Sequence, residues 1–132
     1  MTPRVDAVGV VVSDLAASLA FYRRLGIEAP DDPENVGHVE ATLPNGLRLM
    51  FDTVDMVRSF NSSWQPPTGG HRIALAFACT DAAEVDAVHA ELVAAGAASA
   101  LAPFDAPWGQ RYATVHDPDG NPVDLFADLP TA

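Results

Sequence analysis

Cysteine, lysine and long apolar runs are scarce in this chain, and each shortage excludes a class of protein. Cys79 is the only cysteine, so no disulfide forms within the chain, and we expect a reduced, cytoplasmic setting. The apolar run at 8–12 is too short for a signal-peptide core, and no stretch approaches the length of a membrane span. At 132 residues and 48% hydrophobic composition, we expect one globular domain.

Basic residues are equally scarce. The chain has 7 of them, all arginine, against 18 acidic residues, which gives a net charge of −11. This charge repels the phosphates of nucleic acids and anionic membranes, so we expect neither as a partner. It attracts cationic ligands, although an acidic surface also serves solubility without any ligand.

The most informative pattern in the sequence is a duplication. Residues 5–26 and 72–96 follow one plan, in which an apolar strand precedes a polar helix cap, an amphipathic helix and a closing glycine. Each copy later reaches a tight turn before an alternating strand, with LPNG at 43–46 and DPDG at 117–120. Because neither half could bury its apolar face alone, we expect the functional site where the two copies meet.

The duplication predicts an α+β fold with the element order βαβββ in each copy and one helix covering each small sheet. We assign 4–53 to module one and 71–128 to module two. Ser, Pro and Gly crowd the second half of 54–70, so this segment is interpreted as a linker.

Aromatic side chains are concentrated in two of the connecting segments. The linker carries Phe60 and Trp64, and a second loop places Trp108 just before the strand that contains Tyr112. Aromatic residues in a loop either anchor the loop to the core or stack on a ligand, and the sequence leaves both interpretations open.

Three segments in this order, SDLAASLAFYRRLG, HRIALAF and PWGQRYATVHDPDGNPVDLF, resemble the glyoxalase/bleomycin-resistance/dioxygenase superfamily, whose members are also called vicinal oxygen chelate proteins. The resemblance covers roughly 4–128. It implies two tandem βαβββ modules whose curved mixed sheets form a ligand cavity, paired in a homodimer. Members of the family include metal-dependent lyases, isomerases and dioxygenases, and also metal-free proteins that bind antibiotics.

The resemblance also identifies the positions at which family enzymes carry metal ligands. Those enzymes take a His from the first strand of each module and a Glu from the last. The matching positions here are Ala7, Met50, Ala74 and Asp124. One carboxylate cannot hold a catalytic metal, so we expect no metal and no cofactor.

An improvised metal site is the alternative. His38 and Glu40 lie two residues apart and share one face of a strand, and His71, His116 and Asp124 offer further ligands. Side chains at 38 and 40 facing solvent, and a loop position for His71, would exclude this alternative.

Other catalytic arrangements are poorly supported. Cys79 lies in an apolar strand pattern that favours an inert thiol, and no nucleophile elbow, P-loop or dinucleotide-binding glycine motif is present. A cofactor-free isomerase that uses Asp124 as a general base stays open, because a carboxylate in an apolar cavity has a raised pKa.

These observations favour a metal-free, cytoplasmic homodimer that sequesters a bulky aromatic antibiotic of the bleomycin, mitomycin or enediyne type. The alternative is a glyoxalase-fold enzyme, metal-dependent or cofactor-free, that acts on a small metabolite. Stacking faces and polar contacts for the ligand are predicted at Trp108, Trp64, Phe60, Tyr112, Met50, Asp52, Asp124, His38, Glu40 and Phe51.

Overall fold

The computed structural model describes residues 2–131, which form two compact units, unit 1 up to residue 66 and unit 2 from residue 67. The elements of unit 1 are β1 (Ala7–Val12), α1 (Leu15–Arg24), β2 (His38–Thr42), β3 (Arg48–Thr53) and α2 (Val54–Phe60). Those of unit 2 are β4 (Leu75–Ala78), α3 (Ala82–Ala94), β5 (Ala98–Ala106), β6 (Gln110–His116) and β7 (Pro122–Asp128). None of the helices in 2–131 has the length and hydropathy to cross a membrane.

Each unit is built around one mixed sheet. Sheet 1 has the strand order β1-β3-β2, in which β1 runs parallel to β3 and β2 runs antiparallel to it. Sheet 2 has the order β4-β7-β6-β5, with β4 parallel to β7 and the remaining pairs antiparallel. The predicted α+β class with two mixed sheets is confirmed.

The duplication is visible at the helix ends. Asp14 accepts a hydrogen bond from the Ala17 N–H at 3.0 Å and caps α1, and Asp81 accepts from the Glu84 N–H at 2.9 Å and caps α3. Both helices stop at a glycine of positive φ, Gly26 at 87° and Gly96 at 106°. Equivalent local chemistry therefore starts and ends the main helix of each unit.

The two turns are equivalent as well. The Gly46 N–H donates to the Leu43 carbonyl at 2.8 Å, and the Gly120 N–H donates to the Asp117 carbonyl at 2.9 Å. In the second turn the buried Asp117 carboxylate also accepts from the Asp119 and Asn121 N–H groups, both at 2.9 Å. This is the local hydrogen bonding expected of an aspartate that begins a turn.

Unit 1 departs from the predicted βαβββ order because no strand forms in 26–37. Pro30 and Pro33 have no N–H to donate to a strand ladder. The Asp32 carboxylate instead accepts the N–H groups of Val36 at 3.1 Å and Gly37 at 2.7 Å, which folds the segment into a loop. Unit 2 keeps its strand here, β5, so only the second module has all four predicted strands.

The segment interpreted as a linker begins with a helix. The Thr53 hydroxyl oxygen accepts the Met56 N–H at 3.1 Å, and this cap starts α2 directly at the end of β3. The rest of the segment, 61–70, is irregular and mostly exposed.

The core of each unit lies between its sheet and its main helix. In unit 1, Phe51 of β3 is fully buried and its ring lies 5.2 Å from that of Tyr22 on α1. In unit 2, Val85 and Leu92 of α3 are buried together with Val123 and Leu125 of β7. The alternation of each strand leaves a second set of side chains on the opposite face of the sheet.

Candidate functional site

The face of sheet 1 opposite α1 carries charged residues, and we call it the polar face. Strand alternation places His38 and Glu40 of β2 there, together with Arg48, Met50 and Asp52 of β3. The hairpin register pairs His38 with Asp52 and Glu40 with Met50. The neighbouring positions of β1 on this face, Ala7, Gly9 and Val11, carry no charge.

His38 is held between two carboxylates on this face. Its Nδ1 lies 2.5 Å from Oδ1 of Asp52, and its Nε2 lies 2.7 Å from Oε2 of Glu40. Both contacts are hydrogen bonds when the ring carries two N–H groups, which is the imidazolium form. The bonds to Asp52 and then to Glu40 raise the pKa of His38 above its ordinary 6.5.

The charged row continues from Glu40 to the edge of the sheet. The other oxygen of Glu40 accepts from Nη1 of Arg48 at 2.7 Å, and Nη2 of Arg48 donates to Asp6 at 2.8 Å. The hydrogen bonds from His38 and Arg48 lower the pKa of Glu40, and the bond from His38 has the larger effect. Three carboxylates and two basic side chains therefore alternate in a charged row from Asp52 through His38, Glu40 and Arg48 to Asp6, the residue before β1.

The face of sheet 2 opposite α3 carries aromatic and hydroxyl groups around one carboxylate, and we call it the aromatic face. Asp124 of β7 accepts from the Tyr112 hydroxyl at 2.5 Å and from the Thr114 hydroxyl at 2.7 Å. Burial is the main cause and the bond to Asp124 the second cause of a raised pKa of Tyr112, about 12. Tyr112 is thus a neutral donor that orients the Asp124 carboxylate.

Tyr112, which bonds to this carboxylate, also belongs to a cluster of three aromatic rings. The ring of Tyr112 lies 5.4 Å from that of Trp108 and 6.4 Å from that of Phe104, and Trp108 lies 6.3 Å from Phe104. All three pairs meet edge to face, the arrangement that aromatic quadrupoles favour. We call Phe104, Trp108 and Tyr112 the aromatic cluster.

Trp108 is 59% exposed although its position is fixed. It lies in the three-residue loop between β5 and β6, where Gly109 has a φ of 91° and its N–H donates to the Ala106 carbonyl at 3.0 Å. The indole N–H donates to Gln110 at 2.9 Å, and Gln110 donates in turn to Asp128 at 3.1 Å. The indole is therefore held in place while most of its surface stays accessible.

The other predicted ligand residues are more scattered. Met50 lies on the polar face beside Gly9. Phe60 ends α2 and is 74% exposed, and the half-buried Trp64 ring lies 5.7 Å below the Arg58 guanidinium. Phe51 is a correction: it is fully buried on the α1 side of sheet 1, so it serves the core and cannot reach a ligand on the polar face.

Unit 1 also has a cleft of about 600 Å³ at the ends of β1 and β3. Ser13, Val36, Thr53 and Met56 contribute to its walls. None of the ten residues predicted to bind ligand lines this cleft.

The family model named Glyoxalase/Bleomycin resistance protein/Dioxygenase superfamily matches residues 4–125 of this chain. The chain belongs to this glyoxalase superfamily. No curated protein matches the chain significantly.

Solved structures share the glyoxalase fold. A glyoxalase/bleomycin resistance protein/dioxygenase family enzyme from Burkholderia phytofirmans superposes with a TM-score of 0.82 at 20% identity, covering 96% of this chain and 100% of that one. A family protein from Nocardioides gives 0.76 at 24% identity, covering 100% and 87%. A lactoylglutathione lyase from Agrobacterium tumefaciens gives 0.68 at 21% identity, covering 96% and 95%.

The residues of this chain do not fit the metal that glyoxalase-superfamily enzymes carry. Asp124 has Ala76 beside it on the parallel strand β4, and Met50 has Gly9 beside it on β1. Neither these neighbours nor Ala7 and Ala74 can donate an electron pair from the side chain. Within 2–131, no three His, Cys, Asp or Glu side chains are grouped so that they could hold a metal ion.

Three partners in these clusters were missed from the sequence. Arg48 follows the alternation that already contains Met50 and Asp52, so period-two spacing alone would have placed it on the polar face. Thr114 joins the site because it lies opposite Asp124 on the neighbouring strand, and Phe104 joins it because it lies opposite Tyr112. Those pairs depend on strand register, which the sequence did not specify.

Proposed function

We propose that this protein binds and sequesters a bulky aromatic natural product, of the bleomycin, mitomycin or enediyne type, without metal and without chemical conversion. The observation that carries the proposal is the aromatic cluster, whose most exposed member, Trp108, packs against Tyr112, the residue whose hydroxyl donates to Asp124. A large apolar ring kept in water is typical of a binding surface. We further propose that the protein acts as a cytoplasmic homodimer.

Stacking supplies the first part of the recognition. The indole is held by Gln110 and by a short loop, so little conformational entropy is lost when a planar group stacks on it. Aromatic pairing of this kind contributes about 0.5–1.5 kcal/mol beyond the apolar area that it buries. A planar bithiazole, quinone or polycyclic group satisfies this requirement.

Charge supplies the second part. A net charge of −11 favours a cationic ligand over an anionic one. Asp124 presents a carboxylate that is bonded to Tyr112, a member of the aromatic cluster. An amine or amidine attached to the planar group would complement this carboxylate.

The residues argue against the alternative, an enzyme. Metal-dependent chemistry lacks a set of donors at the family positions. A cofactor-free reaction with Asp124 as base is disfavoured because both carboxylate oxygens already accept hydrogen bonds, from Tyr112 and Thr114. The features that remain are those of recognition.

Tryptophan fluorescence tests the proposal directly. The W64F variant keeps Trp108 as the sole tryptophan and W108F keeps Trp64, so the two variants report on different sites. Titration with a bleomycin-type glycopeptide, a mitomycin-type quinone and an enediyne should quench W64F, with Trp108 as the responding ring. If none of these compounds binds more tightly than about 100 μM, which corresponds to roughly 5.5 kcal/mol, the sequestration proposal fails.

Mass spectrometry and metal analysis separate sequestration from catalysis. The compound released from the complex by denaturation should have an unchanged mass, and protein purified without chelators should contain well under one divalent ion per subunit. A modified compound or a stoichiometric divalent ion would identify an enzyme instead.

A further inference from the structure

We propose that His38 is a proton-operated latch: its imidazolium ties β2 to β3 through Glu40 and Asp52, and loss of its proton releases Glu40 onto the polar face. The inference concerns sheet 1 itself and does not depend on the proposed ligand.

The latch follows from the donor count of the ring. A neutral imidazole has one N–H donor and one lone pair, whereas the imidazolium has two donors. At 2.5 Å and 2.7 Å, the two ring nitrogens lie within hydrogen-bond distance of Asp52 and Glu40. A neutral ring would direct its lone pair at one of these carboxylates, and that contact is repulsive at such a distance. One of the two bonds must therefore open when the proton leaves.

The surroundings decide which bond opens. Glu40 has a second partner, since its other oxygen accepts from Arg48 at 2.7 Å, and its side chain is 37% exposed. The Asp52 side chain is 19% exposed and faces His38. A carboxylate with less access to water is the costlier one to leave unpaired. The remaining proton therefore stays on Nδ1, bound to Asp52, and Glu40 is released.

The other charged groups near the His38 ring are consistent with release of Glu40 rather than Asp52. Arg48 is anchored by Asp6 at 2.8 Å, so it stays in place when Glu40 loses His38. Arg4 lies 3.9 Å from Asp6 at the far end of the row. The strand β1 places only Ala7, Gly9 and Val11 on this face, so it adds no titratable group. When His38 is neutral, the three carboxylates Asp6, Glu40 and Asp52 outnumber the two cations Arg4 and Arg48.

Loss of the His38 contact leaves one oxygen of Glu40 without that partner, while the other oxygen stays bonded to Arg48. A cation that binds to the polar face should therefore bind more tightly as the pH passes upward through the pKa of His38.

Nitrogen-15 NMR of the imidazole rings tests the latch on the whole chain without a ligand, with signals assigned from H38Q. We expect His38 to titrate above 6.5 and to become the Nδ1–H tautomer when neutral. D52N should weaken proton binding by at least roughly tenfold, about one pKa unit, and E40Q should weaken it less. E28Q is the matched control: it removes one exposed carboxylate of unit 1 and should leave His38 unchanged.

Three outcomes would overturn the latch: titration of His38 at its ordinary pKa, the Nε2–H tautomer at high pH, or an equal response to E28Q and D52N. Absence of drug binding with the expected His38 titration would refute the proposed function alone. Drug binding with an ordinary His38 titration would refute the latch alone.

Discussion

Trp108 is a large apolar side chain that the fold leaves exposed to water. This exposure favours a ligand contact over a core anchor for this residue. With 59% of its surface accessible, the indole has little burial to lose. Trp108→Ala should therefore leave the melting temperature nearly unchanged. Loss of stacking on the order of 1–3 kcal/mol should weaken ligand binding roughly 5- to 150-fold in calorimetric titrations.

A matched substitution makes that result specific. Trp64→Ala removes the other indole, which lies near Arg58 in unit 1 and which the sequence also predicts as a stacking face. If Trp108 supplies the main stacking contact, Trp64→Ala should weaken ligand binding less than Trp108→Ala does. A Trp108→Ala protein that loses about 3–5 kcal/mol of stability, yet binds normally when folded, would identify Trp108 as a structural anchor.

His38 makes the stability of the fold depend on pH. Its pKa is raised in the folded state, so the folded protein holds this proton more tightly than the unfolded chain does. The stabilisation is complete below the unfolded value of about 6.5 and is lost as the pH rises through the folded pKa. Urea unfolding should show a midpoint that falls over this window in the wild type, and H38Q should remove that part of the fall.

The pKa shift of Glu40 acts in a different pH window from that of His38. Glu40 has a lowered pKa, so its stabilisation is lost only as the pH falls through that folded pKa, below the ordinary 4.5. A wild-type and an H38Q profile of equal slope above pH 6.5 would rule out His38 as the source.

Single residues differ in how well the sequence predicted them. Asp14, Asp81 and Asp117 accept backbone N–H groups within four residues of themselves, so local sequence was enough to place them. The contact of His38 with Asp52 joins residues fourteen apart in sequence through the register of a hairpin. Spacing on one strand predicted that His38 and Glu40 share a face, but it could not supply the second carboxylate.

Among the elements, the loop before β2 depends on one glycine. Gly37 has a φ of 80°, and a Cβ there would lie 2.6 Å from Oγ1 of Thr53, the atom that caps α2. Gly37→Ala should cost about 1–2 kcal/mol for the left-handed backbone and about 1 kcal/mol more for the disturbed cap. Chemical denaturation followed by circular dichroism measures this loss.

Gly46 is the natural comparison for that substitution. It has a φ of 90°, and a Cβ there would meet nothing within 4 Å. Gly46→Ala should therefore cost only the backbone strain, about 1–2 kcal/mol. Equal losses in the two variants would show that the contact with Thr53 is unimportant.

The elements that the sequence predicted are those specified by local chemistry repeated in both copies. Each main helix has an aspartate at its start and a glycine at its end, and each last hairpin has a Pro-Asn-Gly or Pro-Asp-Gly turn. The helix α2 was missed because it is seven residues long and its cap, Thr53, is also the last residue of a strand. A fourth strand was wrongly predicted in unit 1, because the analogy with the second copy was given more weight than the strand-disfavouring residues Pro30 and Pro33.

At the scale of the whole molecule, the edges of the two sheets favour pairing between chains. Each sheet has its first strand, β1 or β4, at one edge. Val5 and Ile73 each lie two residues before that strand and are 82% and 77% exposed. Exposed apolar side chains beside an unpaired strand edge are typical of protein–protein interfaces.

A two-fold dimer that buries these side chains would set β1 of one chain beside β4 of its partner. Sedimentation velocity at micromolar concentration should then show a dimer, and the double variant V5E/I73E should sediment as a monomer, because burying two carboxylates at a symmetric contact is costly. L101E is the control: Leu101 is 48% exposed but lies on β5, the opposite edge strand of sheet 2, so its substitution should leave the dimer intact. Wild-type protein that sediments only as a monomer would contradict the dimer, and a monomeric L101E beside a dimeric V5E/I73E would move the interface to the β5 edge.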